Sequence, residues 1–226
     1  MKTLAFDTST KFLSIALLEG DKVLVESHEE VGMKHSELLV PVAKDMIGEA
    51  GWKVDDIGLI AVGLGPGSFT GLRIAVATAK GIVAVTGSNI IGVPSMDAMV
   101  RNFETGQKKK IAPLMDARKE KIYACVYDCS GAEPVRESDY ILSPIDEFLE
   151  GLQDETVFFG DAVMKYKEKL DGHPRSGYIE DVDWYPRASW IGRIGAKRSK
   201  IGTDDPDTLA PLYLHAKECN VTKGKG

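Results

Sequence analysis

Only four histidines and three cysteines stand among the 226 residues, and their spacing withholds the common metal chemistries. None of His28, His35, His173 and His215 forms a His-x3-His pair or a His-Glu-x-x-His helix, whereas a catalytic zinc needs three protein ligands and an open position. A metalloprotease therefore has no ligand set here. Cys125 and Cys129 are close in sequence, but no second pair completes a tetrahedral site, so the thiols read as reduced side chains of a cytosolic protein. A Gly-x-Ser-x-Gly elbow is missing, Ser68 standing in Gly-Ser-Phe. So is a Gly-Lys-Ser/Thr phosphate loop, since the first lysine after Gly71 is Lys80. Positive charge is scarce as well: 28 basic against 34 acidic residues leave a net −6, which argues against gripping nucleic acid unaided. Lys108-Lys109-Lys110 and the tail lysines Lys217, Lys223 and Lys225 read as solvated segments. Long apolar runs are wanting too. Leu4-Ala5-Phe6 stops at Asp7, too short for a signal peptide, and the stretch after Gly71 is interrupted by Arg73 and Lys80, so neither export nor membrane spanning is expected.

What is present is a soluble globular composition, 43% hydrophobic and 27% charged, on a chain long enough for one large domain or two small ones. Residues 3–6, 12–18 and 22–27 read as a strand meander. Residues 34–50 change to helical spacing, with Leu38, Leu39, Val42, Met46, Ile47 and Ala50 on one stripe and a kink expected at Pro41. A continuous apolar strand at 57–64, a helix at 72–85 and a strand at 90–93 follow. A meander feeding alternating helices and strands implies a mixed sheet with helices on its faces, as in ribonuclease-H-like units. Residues 111–131 then echo residues 1–21: an apolar strand ends at Asp7 or Asp116, four turn residues follow, and a seven-residue strand spans 12–18 or 121–127. Two similar lobes are expected, 1–105 with the partner-binding helices and a smaller 106–226 with part of its final segment packing back on the first, the latter with a helix near 144–151, a strand at 157–160, a helix after Ser189, and a docking segment at 209–215.

Two turns carry candidate chemistry. Asp7-Thr8-Ser9 follows a strand, so a carboxylate, hydroxyls and turn amides can gather around a phosphate-bound Mg²⁺, or simply stabilise a polar turn. Gly65, Gly67 and Gly71 permit close backbone approach, and Thr70 is placed to cap the following helix, so residues 65–71 fit either ligand contact or tight strand-to-helix packing. The helix that follows is almost uncharged: only Arg73 and Lys80 interrupt it, on a stripe with Ala77 and Ala84. Such a helix must be covered on more than its sheet side, either as simple core beneath the preceding helix or by a partner protein.

Phe6-Asp7-Thr8-Ser9, His35-Ser36-Glu37, Gly63-Leu64-Gly65-Pro66-Gly67-Ser68-Phe69-Thr70-Gly71-Leu72-Arg73 with Ala77-Thr78-Ala79-Lys80-Gly81, Asp116-Ala117-Arg118 and Pro211-Leu212-Tyr213-Leu214 resemble the bacterial TsaB (YeaZ) family. The resemblance runs from Met1 to about residue 214, and the glycine stretch is its most specific part. It implies an α/β, actin-like, sugar-kinase-type fold, duplicated into two lobes with mixed sheets. It also implies a non-catalytic subunit that pairs with its paralogue TsaD, and with the ATPase TsaE, to place threonylcarbamoyl on N6 of adenosine 37 in tRNAs reading ANN codons. The chain would hold no cofactor of its own, Mg-ATP or ADP acting at the level of the complex. It would form a homodimer when alone, reach tRNA only through the complex, touch no membrane, and reside in the cytoplasm.

Departures from the catalytic relative are informative. Where TsaD carries two metal-binding histidines, this chain has Ser95 and Met99, whose hydroxyl and thioether cannot replace imidazoles. Gly160-Asp161-Ala162-Val163 is a faint counterpart of a nucleotide-binding glycine cluster, with Ala162 where a second glycine is usual. Asp7, Thr8, Ser9, Gly65, Gly67 and Ser68 are thus read as a vestigial phosphate loop, with no catalytic or metal residue assigned. His35, Leu39, Val42, Met46, Arg73, Val76, Ala77 and Lys80, on the first two helices, are the expected partner-binding residues. A free-standing ATPase or kinase using Asp7 and the 65–71 loop is the alternative.

Overall fold

From Thr3 to Asp7 every residue is buried, as a strand in the middle of a sheet requires. In the computed structural model, which describes residues 1–103, 106, 110–180 and 182–214, this strand is β1 (Lys2–Asp7). It pairs antiparallel with β2 (Phe12–Glu19), which pairs with β3 (Lys22–Glu30), completing the expected meander. On its other side β1 pairs parallel with β4 (Leu59–Gly63), and β4 with β5 (Asn89–Val93), in the order β3-β2-β1-β4-β5. Two long crossover helices, α1 (His35–Glu49) and α2 (Phe69–Thr86), cover one face. Leu39, Ala43, Met46 and Ile47 from α1, and Ala75 and Ala79 from α2, join Leu4, Phe6, Ile60 and Val62 in one core. The helix α1 continues through Pro41 without interruption. Pro41 is exposed, and its ring costs only the bond to the carbonyl four residues earlier.

After α3 (Ser95–Met99) the plan repeats. The second sheet contains β6 (Lys110–Asp116), β7 (Lys121–Ala124), β8 (Tyr127–Asp128), β9 (Val135–Arg136), β10 (Ile141–Pro144), β11 (Thr156–Phe159) and β12 (Ser176–Tyr178). Its main path is β10-β7-β6-β11-β12, with two antiparallel and then two parallel pairings, as in the first sheet. This is the duplicated mixed-sheet fold that the resemblance implies. The expected strand 121–127 is broken at Cys125 and Val126. The Val126 amide donates to Ser138 Oγ, and its carbonyl accepts from Glu137 and Ser138, so the pairing with β6 is interrupted there. Both cysteines are buried, and burial raises the Cys129 thiol to about 11.

The helices of this sheet are short: α4 (Ile145–Glu150), α5 (Ala162–Lys165) and α6 (Lys167–Asp171). The last helix, α7 (Ala188–Ser199), returns to the first sheet and covers the face opposite α1 and α2. Gly192 and Gly195 let it lie close, since a Cβ at either would collide with Leu18 or Ala61. Between the sheets, Met96, Met99 and Val100 pack with Ile111, Met115, Tyr127 and Phe159, and the Asp97 carboxylate accepts both the Tyr127 and Tyr140 hydroxyls at 2.7 Å. Beyond α7 the chain runs along the β5 edge. Asp204 bridges Ile90, the Asp204 carboxylate accepts the Gly92 amide, and the Leu212 amide donates to the Leu64 carbonyl. The expected docking segment 209–215 lies here, except for His215, which falls outside the described residues. So do Lys108, Lys109, Cys219 and the tail lysines.

Candidate functional site

The parallel strands β1, β4 and β5 end at one edge, and this brings Asp7, the 65–71 loop and Ser95 together. Asp7 is buried. Its Oδ1 accepts the Ser9 amide at 2.8 Å and the Ser9 hydroxyl at 2.6 Å, and its Oδ2 accepts the Ser95 hydroxyl at 2.6 Å. Ser95 Oγ in turn accepts the Gly65 amide at 3.0 Å, so strand ends 88 residues apart are pinned by one carboxylate. Burial pushes the Asp7 carboxyl above its usual range, while the bonds from Ser9 and Ser95 pull the other way. Gly63 is needed beside it, because a Cβ there would overlap the carboxyl group.

The glycine loop is stitched to the 8–9 turn rather than held open. The Ser68 amide donates to the Ser9 carbonyl at 2.7 Å, and the Thr8 hydroxyl donates to the Gly71 carbonyl at 2.7 Å. A Cβ on Gly67 would overlap the Ser9 carbonyl, and one on Gly71 the Thr8 carbonyl. These glycines thus serve close packing of backbone on backbone. Ser68, not Thr70, caps α2: its hydroxyl accepts the Gly71 amide at 3.2 Å, because the helix starts three residues before the expected Leu72 and puts Thr70 in its first turn.

A cleft of about 610 Å³ lies beside this knot, between the sheets. On its far wall Asp116, at the end of β6, pairs with Lys165 at 3.0 Å, and Asp161 accepts the Asp116 amide at 2.9 Å. Burial raises the Asp161 carboxyl. Gly160 sits against the Leu114 carbonyl, again with no room for a Cβ. The actin-like fold implies a nucleotide and Mg²⁺ in such a cleft. The residues do not fit it: both Asp7 oxygens are bonded by this chain's own groups, and the loop glycines are filled by its own turn, whereas Mg²⁺ needs a free carboxylate beside the phosphates. Among the described residues no three of His, Cys, Asp and Glu converge into a metal-holding group.

The expected partner-binding residues divide in two. His35, Leu39, Met46 and Val76 are buried in the lobe itself, so their reading as contact residues is corrected. His35 Nε2 donates to the Phe12 carbonyl at 3.1 Å, Leu39 and Met46 lie in the core against the sheet, and Val76 is 6% exposed. Arg73 and Ala77 are exposed, and Val42 and Lys80 are half-buried. By length and composition α2 is apolar enough to cross a membrane, yet it lies on a sheet with only 28% of its residues buried. Its outer face shows Phe69, 53% exposed, and Val85, 82% exposed. Pinning of Asp7 by Ser95 escaped sequence reasoning, and so did the close seating of α7 through Gly192 and Gly195, of which only the return of part of the final segment to the first lobe was expected. The signal for the first was the shared edge where parallel strands end, and for the second the Gly-x-x-Gly spacing.

The TsaD family, described as tRNA N6-adenosine threonylcarbamoyltransferase, matches residues 27–164. The Bacillus subtilis (strain 168) tRNA threonylcarbamoyladenosine biosynthesis protein TsaB is 28% identical, covering 98% of this chain and 97% of its own. The Escherichia coli (strain K12) protein of the same name is 30% identical over 71% of each chain. Among solved structures, YeaZ from Pseudomonas aeruginosa superposes with a TM-score of 0.79 at 24% identity, covering 94% of this chain and 99% of that one, a likeness of fold.

Proposed function

The chain belongs to the TsaB/YeaZ family of tRNA threonylcarbamoyladenosine biosynthesis proteins, and on that footing we propose that it is the non-catalytic subunit that binds and organises TsaD. With TsaE the pair places threonylcarbamoyl on N6 of adenosine 37 in tRNAs reading ANN codons. In this reading the chain works in the cytoplasm, carries no cofactor of its own, and reaches tRNA through the complex, where Mg-ATP or ADP acts. Alone, it pairs with itself.

One observation carries the reading: a long helix with exposed apolar residues on its outer face stands next to a glycine loop filled by its own chain. Large uncovered apolar faces mark interaction sites. Reconstitution tests it. TsaD and TsaE without this chain are expected to leave tRNA unmodified, and adding the chain restores modification. Equal modification in its absence overturns the proposal. Calorimetry of the isolated chain with Mg-ATP is expected to give no heat; micromolar binding lost in Asp7→Asn would instead favour a free-standing ATPase or kinase.

A further inference from the structure

The second lobe offers a different kind of free surface, at the edge of its sheet. The strand β10 ends the order β10-β7-β6-β11-β12 and pairs with β7 alone, so the outward half of its amides and carbonyls is open to another strand. Consecutive residues of β10 serve opposite faces: Ile141 packs on the α4 side of the sheet and Leu142 in the core between the sheets. A cavity of about 630 Å³ is lined by both, and so reaches round this edge. Val126, Phe148 and Leu152 complete its apolar floor. Val126 is free to do so because Ala124, opposite Ile141, is the last residue of β7 to pair; the Val126 amide is then spent on Ser138 Oγ at 2.9 Å, which takes the chain out of the ladder beside the start of β10.

The rim of this groove is acidic. Glu147 and Asp154 line it, with Glu150 and Glu155 next to them at the end of α4 and before β11. All four are exposed, and among the described residues none of them enters an ion pair. Lys110 is the cation on the lining, and its charge is spent on Glu137 and Asp128. An apolar floor takes apolar side chains, and an unbalanced acidic rim takes cations. A helix laid in the groove would leave the outward groups of β10 without partners, whereas an extended chain satisfies them.

We propose that the β10 edge and this groove form a docking site for an extended segment of another protein, with lysine or arginine alternating with apolar residues, which binds as an added strand. Main-chain hydrogen bonds along β10 hold it, its apolar side chains fill the space between Ile141, Phe148 and Leu152, and its cations meet Glu147 and Asp154. The site lies on the second lobe and is independent of α1 and α2.

Fluorescence anisotropy of the full chain with labelled synthetic peptides of about eight residues tests it. A peptide of alternating valine and lysine is expected to bind, and one of alternating valine and glutamate is not. Reversing the rim with Glu147→Lys and Asp154→Lys together is expected to weaken the lysine peptide about ten-fold or more and to admit the glutamate peptide. Reversing Glu37→Lys and Asp45→Lys on α1 changes the net charge equally and is expected to leave both affinities as they were. A second measurement needs no variant of the protein. An added strand uses the amides along one edge of the peptide, so N-methylation of the valines and N-methylation of the lysines are expected to act unequally, one abolishing binding and the other sparing it. The inference is overturned if the lysine peptide does not bind, if the α1 reversal weakens it as much as the rim reversal does, or if the two methylation patterns act alike. Circular dichroism confirms the folding of both variants, and sedimentation decides the occupant: a rim reversal that changes the association state of the chain itself assigns the groove to a second copy and overturns the proposal.

Discussion

The two halves of the chain lay out the same five strands in the same order and senses, yet only the first carries long helices between its strands. The positions of α1 and α2, with 15 and 18 residues, correspond in the second lobe to α4, with 6, and to α5 and α6, with 4 and 5. A four-residue helix has no outer face to offer, because one turn is consumed by its own packing. On the proposed reading, the duplicated plan thus indicates where the docking surface lies. Both lobes can build a core, but one alone has helix left over. The first lobe also takes α7 from the second half, which seals its far side and leaves the α1 and α2 face as its open one.

The largest effects should come from adjacent residues on α2. Val76 is buried, so Val76→Glu places an unpaired charge in the core and is expected to cost about 3 kcal/mol or more of stability, read by urea denaturation. Ala77 is exposed, so Ala77→Glu should leave the unfolding curve within about 0.5 kcal/mol while weakening self-association on the order of a hundred-fold. Met164→Glu, on the half-exposed helix α5 of the other lobe, should change neither. If Met164→Glu disrupts association as Ala77→Glu does, the asymmetry between the lobes is wrong.

Much of this asymmetry was legible in the sequence, for reasons that differ by element. The strands at 3–6, 12–18 and 90–93 stood out because buried central strands are unbroken apolar runs between turn residues, and the echo of 1–21 in 111–131 revealed the second sheet. The break at Cys125 and Val126 was hidden because a side chain, Ser138, captures the amide from 12 residues away. On α1 and α2 a helical wheel finds the stripes but not which stripe faces the sheet. Both faces of α2 are apolar, so Val76 and Ala77 looked alike. Tyr213 against Arg73, 140 residues apart, leaves no local pattern at all.

A middle-sized effect concerns β3, whose outer face meets the returning chain. His28 stacks on Phe12 at 4.7 Å, and neither ring nitrogen has a hydrogen-bond partner. Burial, then the Arg187 charge, lowers its pKa, with Asp183, Glu26 and Asp7 opposing. The folded state therefore binds its proton less tightly than the unfolded chain does. Stability from this site is present above the ordinary value of 6.5 and is lost as pH falls through it. His28→Phe should remove that acid limb and add about 1 kcal/mol at neutral pH by replacing an unsatisfied imidazole with a ring of similar shape. Parallel denaturation curves for variant and wild type at pH 5.5 and 7.5 would refute it.

The smallest effects lie at the two equivalent aspartates that end β1 and β6, and they sharpen the comparison most. Asp7 is buried and clasped by hydroxyls; Asp116 is exposed and paired with Lys165. The raised Asp7 pKa means that the folded state holds its proton longer than the unfolded chain. Its ionisation therefore takes stability away as pH rises above the ordinary 3.8. Asp7→Asn keeps one oxygen acceptor and loses the charge, so its stability relative to wild type should improve as pH rises above 3.8. Asp116→Asn removes one exposed ion pair and should cost under about 0.5 kcal/mol, fading in high salt. If the Asp7→Asn difference ran the other way, worsening with pH, the carboxylate would be an ionised partner of a cation, as a phosphate-site metal would require. The first lobe would then have kept the working cleft that the geometry denies it.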